Sequence, residues 1–252
     1  MKNPASFKSL ILLSFFILMT CTAATSQKTK DRYNPRFDYQ PPTRTAVANS
    51  GLTIALIKPV FMDREIDKYG SPWSDFANSM QSEVEELLIA KGYKVRGPFQ
   101  SRDEMVFNDK KQSDFVLTVN IDLRIDNQIE WKKIFGPGGF KIKHGNLSIQ
   151  AGIIITAISN FSGEKLWKKN LQLEQQNFTY EGTHDWRKKD YVTFKEEYDL
   201  ENNLANPLNK ALEEIYKEAM KILWSQFEIN EMRGVANEAK NERNADSQKK
   251  EK

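Results

Sequence analysis

Apolar and polar residues alternate with a period of two over residues 115–125. Phe115, Leu117, Val119, Ile121, Leu123 and Ile125 form one series, and Thr118, Asn120, Asp122, Arg124 and Asp126 interleave with it. This predicts a strand with one buried and one wet face. Residues 147–158 predict a second strand, with Leu147, Ile149, Ala151, Ile153 and Ile155 on one side. A turn at Asn160 to Gly163 brings the chain back as a hairpin through residues 164–173. The nearly continuous apolar run 51–60 predicts a strand buried on both faces and ended by Pro59.

Elsewhere the period changes to three and four. Trp73, Phe76, Met80, Val84, Leu87 and Leu88 predict an amphipathic helix, opened by Ser71-Pro72 and closed at Gly92. Residues 93–95 then read as a strand, and the spacing of Ser101 and Glu104 predicts a short helix at 102–107. Asn206-Pro207 opens a last long helix with Leu208, Ala211, Leu212, Ile215, Ala219, Ile222 and Leu223 on its buried face. The order is strand, helix, strand, short helix, three antiparallel strands, helix. It predicts one α+β domain over residues 51–228, a mostly antiparallel sheet of about five strands with two long helices on one face.

The ends read differently. Residues 1–26 have the form of an export signal, with Lys2 and Lys8 ahead of an apolar run from Leu10 to Met19. That run is too short to span a bilayer, which takes about 20 apolar residues. Two processing modes fit it. Ala24-Thr25-Ser26 offers a small-x-small cleavage site before Gln27, giving a periplasmic or secreted protein. Leu18-Met19-Thr20-Cys21 offers a loose lipobox in which Cys21 becomes the lipidated first residue and holds the protein at an outer membrane. Residues 27–50, with Pro35, Pro41 and Pro42, read as an extended arm. Residues 229–252 read as a charged tail that frays or is disordered.

Composition narrows the chemistry. Cys21 is the one cysteine in 252 residues, which excludes an intramolecular disulfide framework, a thiolate zinc site and a redox pair. His144 and His184 are the two histidines, too few for a multi-histidine metal site. Removal of residues 1–26 would leave 35 basic and 34 acidic residues, a net charge of +1, so no global basic field suggests nucleic acid. No cofactor motif is present: Gly136-Pro137-Gly138-Gly139 precedes an apparent strand and reads as a turn. The candidates for hydrolytic work are Asp122, His184 and Asp185, and the expectation is a protein that is not an enzyme.

Binding chemistry concentrates in two stretches. Residues 126–145 read as a long connection carrying Trp131, Phe135 and Phe140 among Lys132, Lys133, Lys141 and Lys143. Aromatic faces stack on sugars or bases, and ammonium groups attract carboxylates, phosphates or anionic lipid headgroups. Residues 178–200 are similar, with Tyr180, Trp186 and Tyr191 around Arg187, Lys188 and Lys189. Trp131, Lys132 and Lys133 are the expected ligand-binding residues.

A diffuse series of segments also carries a family resemblance. It comprises Asn34-Pro35, Ile57-Lys58-Pro59-Val60-Phe61, Val84-Glu85-Glu86-Leu87-Leu88, Lys91-Gly92-Tyr93-Lys94-Val95, Leu123-Arg124, Ser162-Gly163-Glu164 and the helix from Leu208 to Ile215. Over residues 33–225 the chain resembles the neuraminyllactose-binding haemagglutinins, bacterial lipoproteins also described as flagellar-sheath adhesins. The resemblance implies an exported, envelope-associated binding protein, anchored through Cys21 where that residue is retained, with a glycan or another envelope protein as partner. The family's lysine-rich sialic-acid motif falls on Gln128-Ile129-Glu130-Trp131-Lys132-Lys133, where Lys132 and Lys133 match and the leading basic pair is absent. The strand–helix–strand opening also resembles the TolB-type amino-terminal domain, found in lipoproteins that assemble envelope machinery.

Overall fold

The computed structural model describes residues 32–42, 49–133, 140–185 and 193–250. The run 51–60 folds into β1 (Thr53–Ile57), a break at Pro59, and the short β2 (Val60–Phe61). One helical turn, α1 (Arg64–Asp67), leads to α2 (Trp73–Ala90). The predicted stripe of α2, Trp73, Phe76, Met80, Val84, Leu87 and Leu88, is buried throughout. Gly92 ends the helix at φ +85°, a left-handed conformation that glycine adopts without a Cβ penalty. The chain then enters β3 (Lys94–Phe99).

The predicted short helix is a 3₁₀ turn at Arg102–Glu104 followed by α3 (Phe107–Gln112). Ser101 makes no capping bond; the Glu104 carboxylate instead accepts from the Gln100 amide. Two strands of nineteen residues follow, β4 (Phe115–Lys133) and β5 (Phe140–Ile158), then β6 (Lys165–Gln172) and β7 (Gln176–Asp185). The chain closes with α4 (Phe194–Leu200), α5 (Asn202–Gln226) and α6 (Ile229–Lys250).

The sheet has seven strands in the order β3-β1-β4-β5-β6, with β2 also beside β4 and β7 also beside β5. It is mixed, where the sequence suggested a mostly antiparallel sheet of about five strands. β1 pairs in parallel with β3 and β4, and β2 in parallel with β4, while β5 is antiparallel to β4, β6 and β7. The cause lies in the connections. A helix between β1 and β3 returns the chain to the same end of the sheet, which makes the pair parallel, whereas tight turns reverse direction.

One continuous core joins Ile54 and Leu56 of β1 and the odd-numbered residues of β4 from Phe115 to Leu123. It also takes in the facing residues of β5, the α2 stripe, and Leu204, Leu208, Leu212, Ile215, Tyr216 and Leu223 of α5. Ala55, on the other side of β1, packs instead with Met105 and Val116, so β1 is buried on both faces. α5 begins at Asn202, ahead of the predicted Asn206-Pro207 start, and carries Pro207 inside it.

Both ends of the domain belong to it. The charged tail is the helix α6, and Met232, Val235, Ala236 and Ala239 are part of the main core. Their spacing of three, one and three is a helical stripe. The described part of the arm has no regular secondary structure and lies along α2 and α5. The Tyr33 amide donates to Asn206 Oδ1 at 2.7 Å, and the Tyr33 carbonyl accepts from Asn209 Nδ2 at 2.6 Å. The Tyr33 hydroxyl and the Arg36 amide both donate to Glu213 Oε2, at 2.6 and 3.1 Å. Phe37 seats its ring 5.2 Å from Phe76 and 5.3 Å from Tyr216.

Candidate ligand-binding surface

The stretch read as a long connection, residues 126–145, is mostly strand. The β4–β5 ladder continues without a break from Val116↔Ile158 to Lys133↔Lys141, and β7 pairs with β5 from Gln176↔Ile149 to Asp185↔Phe140. Residues 122–133, 140–149 and 176–185 therefore form a three-stranded extension of the sheet. Residues 134–139, including Phe135 and the glycine-rich turn, and residues 186–192, including Trp186, Arg187, Lys188, Lys189 and Tyr191, lie outside the described residues.

The extension has two faces. Successive residues of a strand point to opposite sides, so Trp131 continues the core face while Glu130 and Lys132 lie on the other. On the core face Asn127, Ile129 and Trp131 stand opposite Leu147, Gly145 and Lys143. Gly145 is required there: a Cβ would come within 2.1 Å of the Tyr180 ring, which lies across it. Ile129 is 39% exposed and Trp131 45% exposed, so beyond Ile125 the apolar series leaves the cover of the helices and reaches solvent.

Beneath these residues is a buried polar network. Lys143 is 5% exposed and Glu197, delivered by α4, is 4% exposed, and the two form an ion pair. The Tyr180 hydroxyl donates to Glu197 Oε1 at 2.7 Å and contacts Asn127 Oδ1 at 3.1 Å. The Lys143 ammonium lies 5.4 Å from the Tyr180 ring centroid and 5.8 Å from that of Trp131, within cation–π range. Burial pushes the Lys143 ammonium below the usual lysine range, partly offset by Glu201. Burial likewise pushes the Tyr180 phenol up, so Tyr180 acts as a neutral donor. α4 is fixed in turn by a capping box, in which Thr193 and Glu196 bond reciprocally to each other's backbone amides. Neither Glu197 nor Tyr180 stood out in the sequence as a partner for a lysine 54 and 37 positions away.

The predicted site residues are thus not one cluster. Trp131 sits above Lys143 on the core face, Lys132 is exposed on the opposite face in register with Ile142, and Lys133 pairs with Lys141 in the ladder. The hydrolytic candidates do not converge either. Asp122 is opposite Gly152 on β5 and holds Arg124 at 3.3 Å, while His184 is opposite Lys141. Eleven residues of β5 separate those two register positions, about 36 Å of strand. Asp185 is the last residue of β7. Among the described residues no three His, Cys, Asp or Glu side chains converge as a metal site, and no helix is long and apolar enough to cross a membrane. Cys21 lies outside the described residues.

A groove of about 560 Å³ runs beside the outer edge of β4, lined by Met62, Ile66, Tyr69, Ile125, Asn127 and Phe194 among others. Along that edge β1 covers Phe115 to Leu117 and β2 covers Asn120 and Ile121. Among the described residues no strand pairs with it beyond Ile121.

A family profile described as neuraminyllactose-binding hemagglutinin precursor matches residues 19–243. The fold is similar to the crystal structure of a neuraminyllactose-binding hemagglutinin homolog from Helicobacter pylori. The TM-score is 0.57 at 12% identity, over 83% of this chain and 100% of that one. Two weaker likenesses carry no argument about fold or function. One is to PelC of Paraburkholderia phytofirmans, at TM-score 0.29 and 13% identity over 71% of this chain and 94% of that one. The other is to a protein of Xanthomonas campestris, at 0.34 and 11% over 80% and 96%. No curated protein matches the sequence.

Proposed function

Because the chain belongs to the neuraminyllactose-binding hemagglutinin family, we propose that it is an exported, envelope-associated binding protein without catalytic activity. Its contact surface is the outer part of the β4–β5–β7 extension. Cys21, once processed, anchors it to the outer membrane. The observation that carries this reading is the pairing of exposed Ile129 and Trp131 with a locked support. The Lys143–Glu197–Tyr180 network holds the strand from beneath while the apolar side chains face outward. A rigid element presenting an aromatic side chain loses little conformational entropy on binding.

The ligand chemistry proposed is an acidic glycan. The indole of Trp131 stacks on the C–H face of a sugar ring, and Lys132 and Lys133 attract its carboxylate. Because Trp131 and Lys132 face opposite sides of β4, a glycan held by both must cross the strand. The test is a panel of sialylated and neutral glycans probed with the wild-type chain and with Trp131→Ala, Lys132→Ala and Lys133→Ala singly. Retention of sialylated ligands by wild type, lost in Trp131→Ala and weakened in the lysine variants, is expected. Equal binding by wild type and Trp131→Ala removes the surface from consideration. The site of processing is read from the intact mass of the protein taken from its native membrane, where a start at Cys21 plus acyl mass is expected.

A second reading, contact with another protein, is favoured by a separate feature, the uncovered edge of β4 beside the groove.

A further inference from the structure

An uncovered strand edge offers unpaired N–H and C=O groups to any other strand, and native proteins rarely leave one without a reason. Here, among the described residues, no strand pairs with this edge from Asp122 on, immediately after the place where the Met62 amide donates to the Ile121 carbonyl at 2.7 Å. The run reads Asp122-Leu-Arg-Ile-Asp-Asn127-Gln-Ile-Glu-Trp-Lys132. This sequence is complementary to itself when reversed about Asn127.

Two copies laid antiparallel about a two-fold axis through Asn127 keep each side chain on its own face of a continuous sheet. On the outer face Asp122 then meets Lys132, Arg124 meets Glu130, and Asp126 meets Gln128. On the core face Leu123 meets Trp131, Ile125 meets Ile129, and Asn127 meets its own counterpart, whose carboxamide both donates and accepts. The symmetry repeats each of these pairs. Other registers lose the match. Moving the axis to Asp126 sets Asp122 against Glu130, and moving it to Gln128 sets Arg124 against Lys132 and Asp126 against Glu130. Like charges directly opposite are destabilising.

The flanking structure agrees with this register. β4 runs one residue further, to Lys133, but its counterpart Ile121 is already paired with β2, so the pairing between copies stops at Asp122 and Lys132. The groove runs along this edge, lined by Asp122 to Ile125 and Asn127 from β4, and the partner's Ile129 and Trp131, exposed apolar side chains of the extension, arrive beside it. We propose that the chain forms a symmetric homodimer by antiparallel pairing of residues 122–132 of β4 with the same residues of a second copy, centred on Asn127. An isologous interface of this kind closes on itself and uses up the free edge of β4 in both copies. It does not rest on the glycan reading, and its test reads self-association alone.

The experiment uses the full chain with Cys21→Ser, so that each added cysteine is the only thiol. Asn127→Cys places two Cβ atoms directly opposite across the axis, within disulfide range, and is expected to give a covalent dimer under mild oxidation. Ile125→Cys and Ile129→Cys do not crosslink as separate proteins and do crosslink when mixed, because each faces the other. Sedimentation is expected to show a dimer weakened about tenfold by Arg124→Glu, which sets four acids against one another, and restored by Arg124→Glu with Glu130→Arg. A chain that stays monomeric at its highest soluble concentration overturns the proposal. So does a dimer in which Asn127→Cys fails to crosslink, or one in which the charge-swapped double variant is no stronger than Arg124→Glu.

Discussion

The hairpin of β4 and β5 is one ladder with two halves that are held in different ways. In the inner half, Phe115 to Ile125 against Ile149 to Ile158, the core face is aliphatic and aromatic and is covered by α2, α5 and α6. In the outer half the same face carries Asn127, Ile129 and Trp131 against Lys143 and Gly145, and among the described residues its cover includes a buried ion pair, a tyrosine ring and a short helix. Backbone and register are shared, so the difference is in the side chains. The inner half gains from apolar area removed from water. The outer half is fixed by a few polar contacts that must all be made, since a buried charge without its partner is far costlier than a missing methyl group. An exposed surface placed on the outer half is therefore rigid without being buried.

The largest effect expected breaks the outer half at its weakest dependency. Glu197→Ala takes from the buried Lys143 ammonium its ion-pair partner, leaving Glu201 as the remaining nearby charge, and removes one of two acceptors of Tyr180, at a cost of about 3–5 kcal/mol in urea unfolding. Lys143→Met with Glu197→Leu removes both charges together and is expected to recover most of that loss. If the double variant is as unstable as Glu197→Ala, the network has a role beyond charge compensation.

The inner half supplies the contrast. Leu117→Ala, at a fully buried position, is expected to cost about 2–5 kcal/mol by loss of transfer energy and creation of a cavity. Ile129→Ala, a similar loss of side chain twelve residues further along the same face, is expected to cost less than about 1 kcal/mol because that side chain is already partly in water. Equal costs would mean that the outer half is covered as the inner one is.

A third region tests whether polar fixation is general in this fold. The arm is held through Glu213. Burial alone would raise the pKa of Glu213, but bonds from Lys217, the Tyr33 hydroxyl and the Arg36 amide outweigh it and bring the carboxyl to about 2. The folded-state value lies below the unfolded one, so the stabilisation is present in full above pH 4.5 and is lost as pH falls toward 2. The full shift would be worth about 3 kcal/mol, and solvent screening of this partly exposed group lowers it to about 2 kcal/mol. Proteolysis of the arm near Arg36 is expected to be slow at pH 7 and to rise on acidification toward pH 2, with an acid-active protease. In Glu213→Gln it is expected to be fast already at pH 7.

Much of the inner half was legible in the sequence, because alternation and helical stripes report which face is buried. The outer half was partly written there too. Ile129 and Trp131 continue the odd-numbered series of β4, but Lys143 and Gly145 interrupt the matching series on β5, so the stretch resembled a loop. Those interruptions are the points where an ion pair and a tyrosine ring replace aliphatic packing, and their partners come from β7 and α4, which periodicity does not locate. α6 was hidden in the same way, its four-residue stripe diluted by charge. The parallel pairs of the sheet follow from the helix between β1 and β3 and were implied by the order of elements. The separation of Trp131 from Lys132 onto opposite faces follows from the strand itself and became visible once residues 126–133 were known to be strand.

The smallest stability effect carries the sharpest distinction between fold and function. Lys132 is exposed and lies on the outer face, the opposite side of the strand from the polar network, so Lys132→Glu is expected to change unfolding free energy by less than about 0.5 kcal/mol. Its effects on contact differ in sign of charge and in place. Reversal at this position repels an acidic glycan, and in the paired edge it sets Glu against the partner's Asp122. A second change, Asp122→Lys, restores the cross-strand pair but leaves the glycan repelled at Lys132→Glu. The double variant is therefore expected to recover self-association without recovering glycan binding, measured by sedimentation and by retention on a sialylated support. Recovery of both together would mean that glycan binding depends on the dimer and not on the charge at residue 132. Recovery of neither would separate the β4 edge from both activities.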